Sequence, residues 1–398
     1  MMKKYYLLAA GLLLMLGSCS QDDIVDVNHD GDEIRFAAVT NGSTRAADIY
    51  NPNNMPASFN VAAMSQGQVY IAGDVINKTG NSWVNSTGTR YWPEAAVDFY
   101  AHVNSGSAFM LNDGAPTFNN FSVATEVGSQ LDLLYSVKKG QTKTESPVTL
   151  NFRHALSQIV FKARNESENI YVQIKGIKVA NVKRQGTYKF PTVTTDPNLP
   201  EENSDNETSR GSWTLAGDNV TYDVELDALT AVEGSKTNPT PVNLTDVKGK
   251  ALMLLPQGTE AWVPETYPAP DAEGNTNSYL LVDCVIYNVS GEQGVDGTLP
   301  GKKVCLWGTD EGGGKWSTKE LAIPVKFYWE EGKKYTYTLV FGNGNGGYNP
   351  DPDPGTDPDP VLVPISFEIT VDEFLDGGNY DVESGTEDLG NEKEDAGN

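Results

Sequence analysis

The chain is poor in histidine, cysteine and positive charge, and each shortage removes a class of function. Of its 398 residues only His29, His102 and His154 are histidine. None has metal-ligand spacing to another histidine or to a cysteine. A Gly-x-Ser-x-Gly elbow and a phosphate loop are also missing, so the common hydrolase and nucleotide signatures are absent. His102 and His154 lie in apolar, strand-like surroundings, which suits structural histidines. No catalytic residue, cofactor or metal is therefore assigned, and the sequence reads as a non-enzyme. Lysine and arginine number 29 against 54 acids, a formal charge of −25. A field of that sign repels phosphate, and no basic stripe with interleaved aromatics offsets it, so nucleic acid is excluded as a partner. From Asp351 onward there are 15 acids and a single lysine, Lys393, which marks a solvated tail.

Three cysteines are too few for a disulfide framework. Cys284 and Cys305 each sit in a strand-like run. They pair only if neighbouring strands bring their alpha carbons within about 7 Å, and a bridge or two free thiols both remain open. Long apolar runs are scarce as well. The one at the N-terminus, Tyr5 to Leu16, follows Lys3 and Lys4 and ends in Gly17-Ser18-Cys19. That is a signal peptide, too short for a permanent membrane span. Leu16-Gly17-Ser18-Cys19 resembles a bacterial lipobox, so residues 1–18 are expected to be removed and Cys19 to carry the acyl chains. Attachment to the outer membrane would rest on those chains (palmitate among them), each buried methylene contributing roughly 0.8 kcal/mol. Ser20-Gln21-Asp22-Asp23 resembles the export signal of surface lipoproteins, which places the body on the outer face of a Gram-negative cell.

What the chain does have is strands. Short runs rich in β-branched and aromatic residues, separated by Gly, Asn, Ser or Pro, recur throughout, with no convincing three-turn helix and no fixed short repeat. The mature length suits two domains. The expected fold is all-β, two tandem antiparallel Greek-key sandwiches over residues 46–145 and 146–345. In the second, alternation puts Tyr335, Tyr337, Leu339 and Phe341 on one face. Residues 19–45 form an anchor segment that carries a strand-like stretch with Ile34, Phe36 and Ala38 on one side. Residues 346–398 hold a stiff Asp-Pro linker, an amphipathic strand and the acidic tail. In that strand Ile365, Phe367, Ile369 and Val371 alternate with polar residues. The linker is expected to hold it away from its own sheets, as a strand in need of a foreign one.

Several short stretches together carry a resemblance. Arg45-Ala46, Tyr91-Trp92-Pro93, Asp132-Leu133-Leu134-Tyr135, Phe152-Arg153-His154-Ala155 and Gly186-Thr187-Tyr188, in that order after the lipobox, look like the fimbrillin family of gut and oral anaerobes. The resemblance implies two transthyretin-like sandwiches and export as a lipoprotein. It also implies maturation by an arginine-specific protease at Arg45, which removes the anchor and the first strand so that the vacated groove accepts a strand from the next fimbrial subunit. The segment from Ile365 to Val371 suits that groove by β-augmentation. A cell-surface fimbria supporting adhesion is the leading expectation. A monomeric glycan-binding lipoprotein is the alternative, and it needs two or three coplanar exposed tryptophans, with Trp213, Trp262 and Trp316 as candidates. A secreted hydrolase on a β scaffold needs two carboxylates facing each other across a cleft.

Overall fold

Apolar alternation becomes sheet register in a computed structural model that describes residues 32–40, 56–112, 115–195, 210–235, 237, 239–245, 252–290, 302–344, 346–352, 360–361, 365–373 and 381–382. The first half holds β1 (Phe36–Thr40), β2 (Ser58–Ser65), β3 (Gln68–Thr79), β4 (Ser82–Asn85), β5 (Val97–Val103), β6 (Phe109–Asn112), β7 (Ala115–Ser122), β8 (Leu134–Gln141) and β9 (Val148–His154). Next come β10 (Ser157–Asn165), β11 (Ile170–Lys189), β12 (Ser212–Val232), β13 (Val242–Asn243), β14 (Leu252–Leu254), β15 (Tyr279–Ser290) and β16 (Lys302–Trp307). The last are β17 (Thr309–Gly312), β18 (Lys315–Ser317), β19 (Lys319–Pro324), β20 (Lys333–Phe341), β21 (Gly347–Tyr348), β22 (Pro360–Val361), β23 (Ile365–Glu373) and β24 (Asp381–Val382). Among the described residues the one helical element is a single 3-10 turn, Val127–Ser129.

A seven-stranded sheet in the order β1-β9-β8-β5-β2-β3-β4 makes the first unit. Its ends, β1 and β4, approach each other, so the sheet curls around a core of Ile34, Phe36, Phe59, Trp92, Phe99 and Phe152 among others. The β2–β3 hairpin turns on Gln66 and Gly67 at φ of 50° and 78°. A two-residue hairpin asks for positive φ at both central positions, because that twist matches the flanking strands.

In the second unit a six-stranded sheet (β13-β10-β20-β23-β24, with β14 on β10) faces a nine-stranded one (β22-β21-β19-β15-β11-β7-β6, with β12 on β11 and β16 on β15). Tyr335, Tyr337, Leu339 and Phe341 point into the core between them, as the alternation predicts, where they meet side chains of β11, β15 and β19. Gly186 has its own reason: a β-carbon there would come within 3.2 Å of the Trp213 ring, which lies beside Tyr188 with centroids 5.1 Å apart.

Three expectations need correction. Two pairings are parallel, β1 with β9 and β10 with β20, so neither unit is purely antiparallel. The border near residue 145 is also misplaced. Strand β9 belongs to the first sheet, whereas the β6–β7 hairpin leaves it and pairs through β7 with β11. The hairpin crosses because Phe118 is fully buried against Tyr188 and Phe190 of the second unit, a contact that strand spacing alone does not reveal. Finally, the linker does not keep β23 off its own sheets: β23 pairs antiparallel with β20 over its whole length, from Phe341↔Ile365 to Lys333↔Glu373. An amphipathic strand has an apolar face to bury, and the open edge of β20 is the nearest place.

At the junction of the units the end of the β8–β9 pair is tied down, and a buried hydrogen bond crosses beside it. Asp132 and His154, both buried, lie 2.9 Å apart, and the Ala155 amide donates to the Leu133 carbonyl at 2.9 Å. Deeper in, the Tyr135 hydroxyl on β8 donates to Glu331 Oε1 at 2.8 Å, just before β20. Burial pushes the Glu331 carboxyl up to about 7, although hydrogen bonds from Tyr135 and Tyr188 pull the other way.

Candidate functional site: the slot that holds the first strand

Residues 32–40 are held by two partners, residues 90–92 at the start of the segment and β9 along the rest. On one side β1 runs parallel to β9, with Phe36 opposite Val148, Ala37 opposite Thr149 and Ala38 opposite Leu150. The ladder begins where the Val148 amide donates to the Arg35 carbonyl at 2.7 Å. On the other side the Ile34 amide donates to the Arg90 carbonyl at 2.8 Å and the Trp92 amide to the Asp32 carbonyl at 3.1 Å, around an antiparallel bridge between Glu33 and Tyr91. The segment thus fills a slot whose walls are β9 and residues 90–92.

Side chains follow the period of two. Ile34 and Phe36 are buried at 3% and 5% exposure, and Ala38 packs half-buried behind them. The Phe36 ring meets Phe99 and Phe59 edge-on at 5.5 and 6.4 Å, an arrangement that adds to plain burial. Arg35, on the opposite face, donates to the Glu145 carbonyl, and Lys143 pairs with Asp32. At roughly 1.5 to 3 kcal/mol per side chain, Ile34 and Phe36 together contribute about 3 to 6 kcal/mol. A domain's whole stability is on the order of 5 to 15 kcal/mol, so an emptied slot would be a serious loss.

One wall is braced independently of β1. Arg90 Nε and Nη2 reach the two carboxylate oxygens of Asp74 on β3 at 2.7 and 2.8 Å, and Asn85 Nδ2 on β4 adds 2.7 Å. Burial alone would raise the Asp74 carboxyl, but these hydrogen bonds and the guanidinium charge outweigh it and hold the group below the ordinary carboxylate range. Tyr70 also donates from β3 to the Tyr91 carbonyl. Sequence reading missed this brace. Its available signal was an acid inside an apolar alternation, Asp74 between Ile71 and Ile76.

The other strand of interest is held more loosely. Among the described side chains of β23 only Ile365 is buried, at 4%, while Phe367, Ile369 and Val371 are half-buried against the second core. Its partner beyond β20 is the two-residue β24, and Arg164 on β10 reaches across β20 to pair with Glu368. The predicted strand residues are thus all placed, in two different units, and within one chain they are not brought together. Cys19, Arg45 and Ala46 lie outside the described residues.

Other predicted residues fall into structural positions. Cys284 and Cys305 are both free. Cys284 faces the main core, whereas Cys305 packs with Val285 and Tyr287 on the opposite face of the sheet, which is why the bridge does not form. His102 takes Ser105 at 2.7 Å and stacks on Phe109, and burial lowers it to about 4. Trp262 is buried at 1%, and Trp213 and Trp316 are half-buried in aromatic packing, so the three do not form an exposed sugar platform.

No curated protein matches the chain. Among solved structures it is similar to a protein of Bacteroides uniformis assigned to cell adhesion, at 13% identity over 86% of this chain and 98% of that one, with a TM-score of 0.38. A cell adhesion counterpart from Parabacteroides distasonis gives 11% identity, 85% and 98% coverage and a TM-score of 0.43. The tip fimbrial protein Mfa3 of Porphyromonas gingivalis, truncated at its C-terminus, gives 11%, 85%, 99% and 0.36. The fimbrillin-like family model matches residues 26–351, and the chain belongs to that family of cell-surface fimbrial and adhesion subunits.

Proposed function

We propose that this chain is a polymer-forming fimbrial subunit, exported as a lipoprotein acylated at Cys19 and matured by an arginine-specific protease at Arg45–Ala46. Cleavage releases residues 19–45, β1 leaves its slot, and Ile365 to Val371 of another subunit enters it. The fibre that results supports adhesion. The observation that carries this reading is the burial of Ile34 and Phe36, two core side chains supplied by a segment upstream of Arg45. A chain cut there keeps its braced wall at residues 90–92 but lacks the strand that covers it, and main-chain pairing plus apolar burial drive a replacement strand in. Digestion of the precursor with an arginine-specific protease, followed by electrophoresis without boiling, should give a ladder of multimers, and the Arg45→Gln precursor should stay monomeric. A monomer-only pattern from the cut wild-type chain would overturn the proposal.

A further inference from the structure

We infer that Asp74, Arg90 and Tyr70 are positioning residues for strand capture: they keep residues 90–92 in place as a ready edge once β1 is gone, and so set how fast an incoming strand is taken up. The inference rests on the strand-exchange reading and adds to it what prepares the slot. Pairing with the first strand uses the Arg90 carbonyl, which accepts from the Ile34 amide, and the Trp92 amide, which donates to the Asp32 carbonyl. Neither bond survives the loss of residues 19–45. An edge held by those bonds alone would come loose with them.

The anchors of this edge on its own unit use other atoms. Arg90 turns its side chain, not its carbonyl, to β3, where Nε and Nη2 take both oxygens of the Asp74 carboxylate at 2.7 and 2.8 Å. Tyr91 gives its carbonyl to the Tyr70 hydroxyl. Trp92 sends its ring into the first core, edge-on to Phe99 at 5.8 Å. The loop leading to the edge is fixed from the same carboxylate. Asn85 Nδ2 donates to Asp74 at 2.7 Å, and Asn85 Oδ1 accepts from the Thr87 amide at 2.9 Å and the Gly88 amide at 3.3 Å. The Thr87 hydroxyl in turn accepts from the Val75 amide at 2.9 Å. Asp74 is 2% exposed, and a carboxylate so buried is stable only with its oxygens bonded, which ties this cluster together. None of these contacts involves residues 32–40, so they persist when that segment leaves. The Arg90 carbonyl and the Trp92 amide then stay aimed along the line of the next strand. An edge already in its bound shape needs less ordering on capture.

Kinetics with a defined strand test this. The probe is a fluorescein-labelled peptide of residues 32–40, offered at nanomolar protein to the precursor cut at Arg45 and freed of residues 19–45. Arg90→Lys keeps a positive charge beside Asp74 but loses the two-pronged grip. Tyr70→Phe removes only the bond to the Tyr91 carbonyl. Association should slow about tenfold in Arg90→Lys, as for an edge in place about a tenth of the time, and about threefold in Tyr70→Phe. Dissociation should stay within about twofold of wild type, because the bound strand itself then holds residues 90–92. Unchanged association in both variants overturns the inference. A change confined to dissociation overturns it too, since it marks the cluster as part of the filled slot and not of its preparation. If Arg90→Lys does not fold, Tyr70→Phe decides alone. A cut wild-type chain that takes the peptide but gives no unboiled ladder overturns strand exchange and leaves the prepared edge standing. One that takes neither peptide nor partner overturns both.

Discussion

Strands β1 and β23 carry the same apolar spacing, yet the molecule holds them in opposite ways. Strand β1 pairs along its length with β9, with Phe36 at 5% exposure, and the residues just before it pair with residues 90–92, which the Asp74–Arg90 pair braces. Strand β23 has one full-length neighbour, β20, and three of its four apolar side chains are only half-buried. The more deeply buried strand is thus the one upstream of Arg45, and the more shallowly buried one is the strand proposed to travel. Burial scales with the area removed from water, so the deep slot offers β23 more than its present edge does. On the proposed reading, deeper apolar burial in the slot is what would offset the loss of the β20–β23 ladder.

Aromatic truncation breaks this comparison most forcefully. In the uncut precursor Phe36→Ala should cost about 3 to 5 kcal/mol by urea denaturation, the usual range for a buried phenylalanine. Phe367→Ala, at a half-buried position, should cost less than half of that. Equal losses would mean that the two strands are held alike.

A second test concerns the anchoring of β20, the strand that holds β23. The Glu331 carboxyl titrates at about 7 in the fold because burial disfavours its charge, well above its unfolded value. The folded state therefore binds that proton more tightly. The stability this supplies is complete below the ordinary carboxyl range and is lost as pH rises through about 7, a swing on the order of 3 kcal/mol. Thermal unfolding between about pH 5 and pH 8 should show the decline, and Glu331→Gln should flatten it.

The smallest effect belongs to the Arg164–Glu368 pair. Glu368 is about half exposed, so solvent screening limits the pair to roughly 0.2 to 1 kcal/mol. Arg164→Ala should leave the melting temperature nearly unchanged and speed multimer formation after cleavage by no more than about fivefold, read from the time course of the unboiled ladder.

Much of this was legible in the sequence because period-two alternation states which side chains share a face. Tyr335, Tyr337, Leu339 and Phe341 follow it into the second core, and Ile34 and Phe36 follow it into the first. Partner choice was not legible. Nothing local to β1 says that its neighbour is β9, some hundred residues onward, or that the two run parallel. The β6–β7 hairpin looks like part of the first unit until Phe118 meets Tyr188. An edge with free hydrogen-bonding groups attracts any compatible strand, and that is why β23 lies on β20 and not in solvent.

The central claim is that β23 fills another chain's slot once β1 is gone. Phe367→Asp together with Ile369→Asp tests it most directly, because a carboxylate forced into that core costs several kcal/mol unless paired, whereas the place of β23 beside β20 leaves both positions half open to water. After cleavage at Arg45 the double variant should run without boiling as a folded monomer, beside a wild-type ladder. A ladder from the double variant equal to that of wild type would contradict the account.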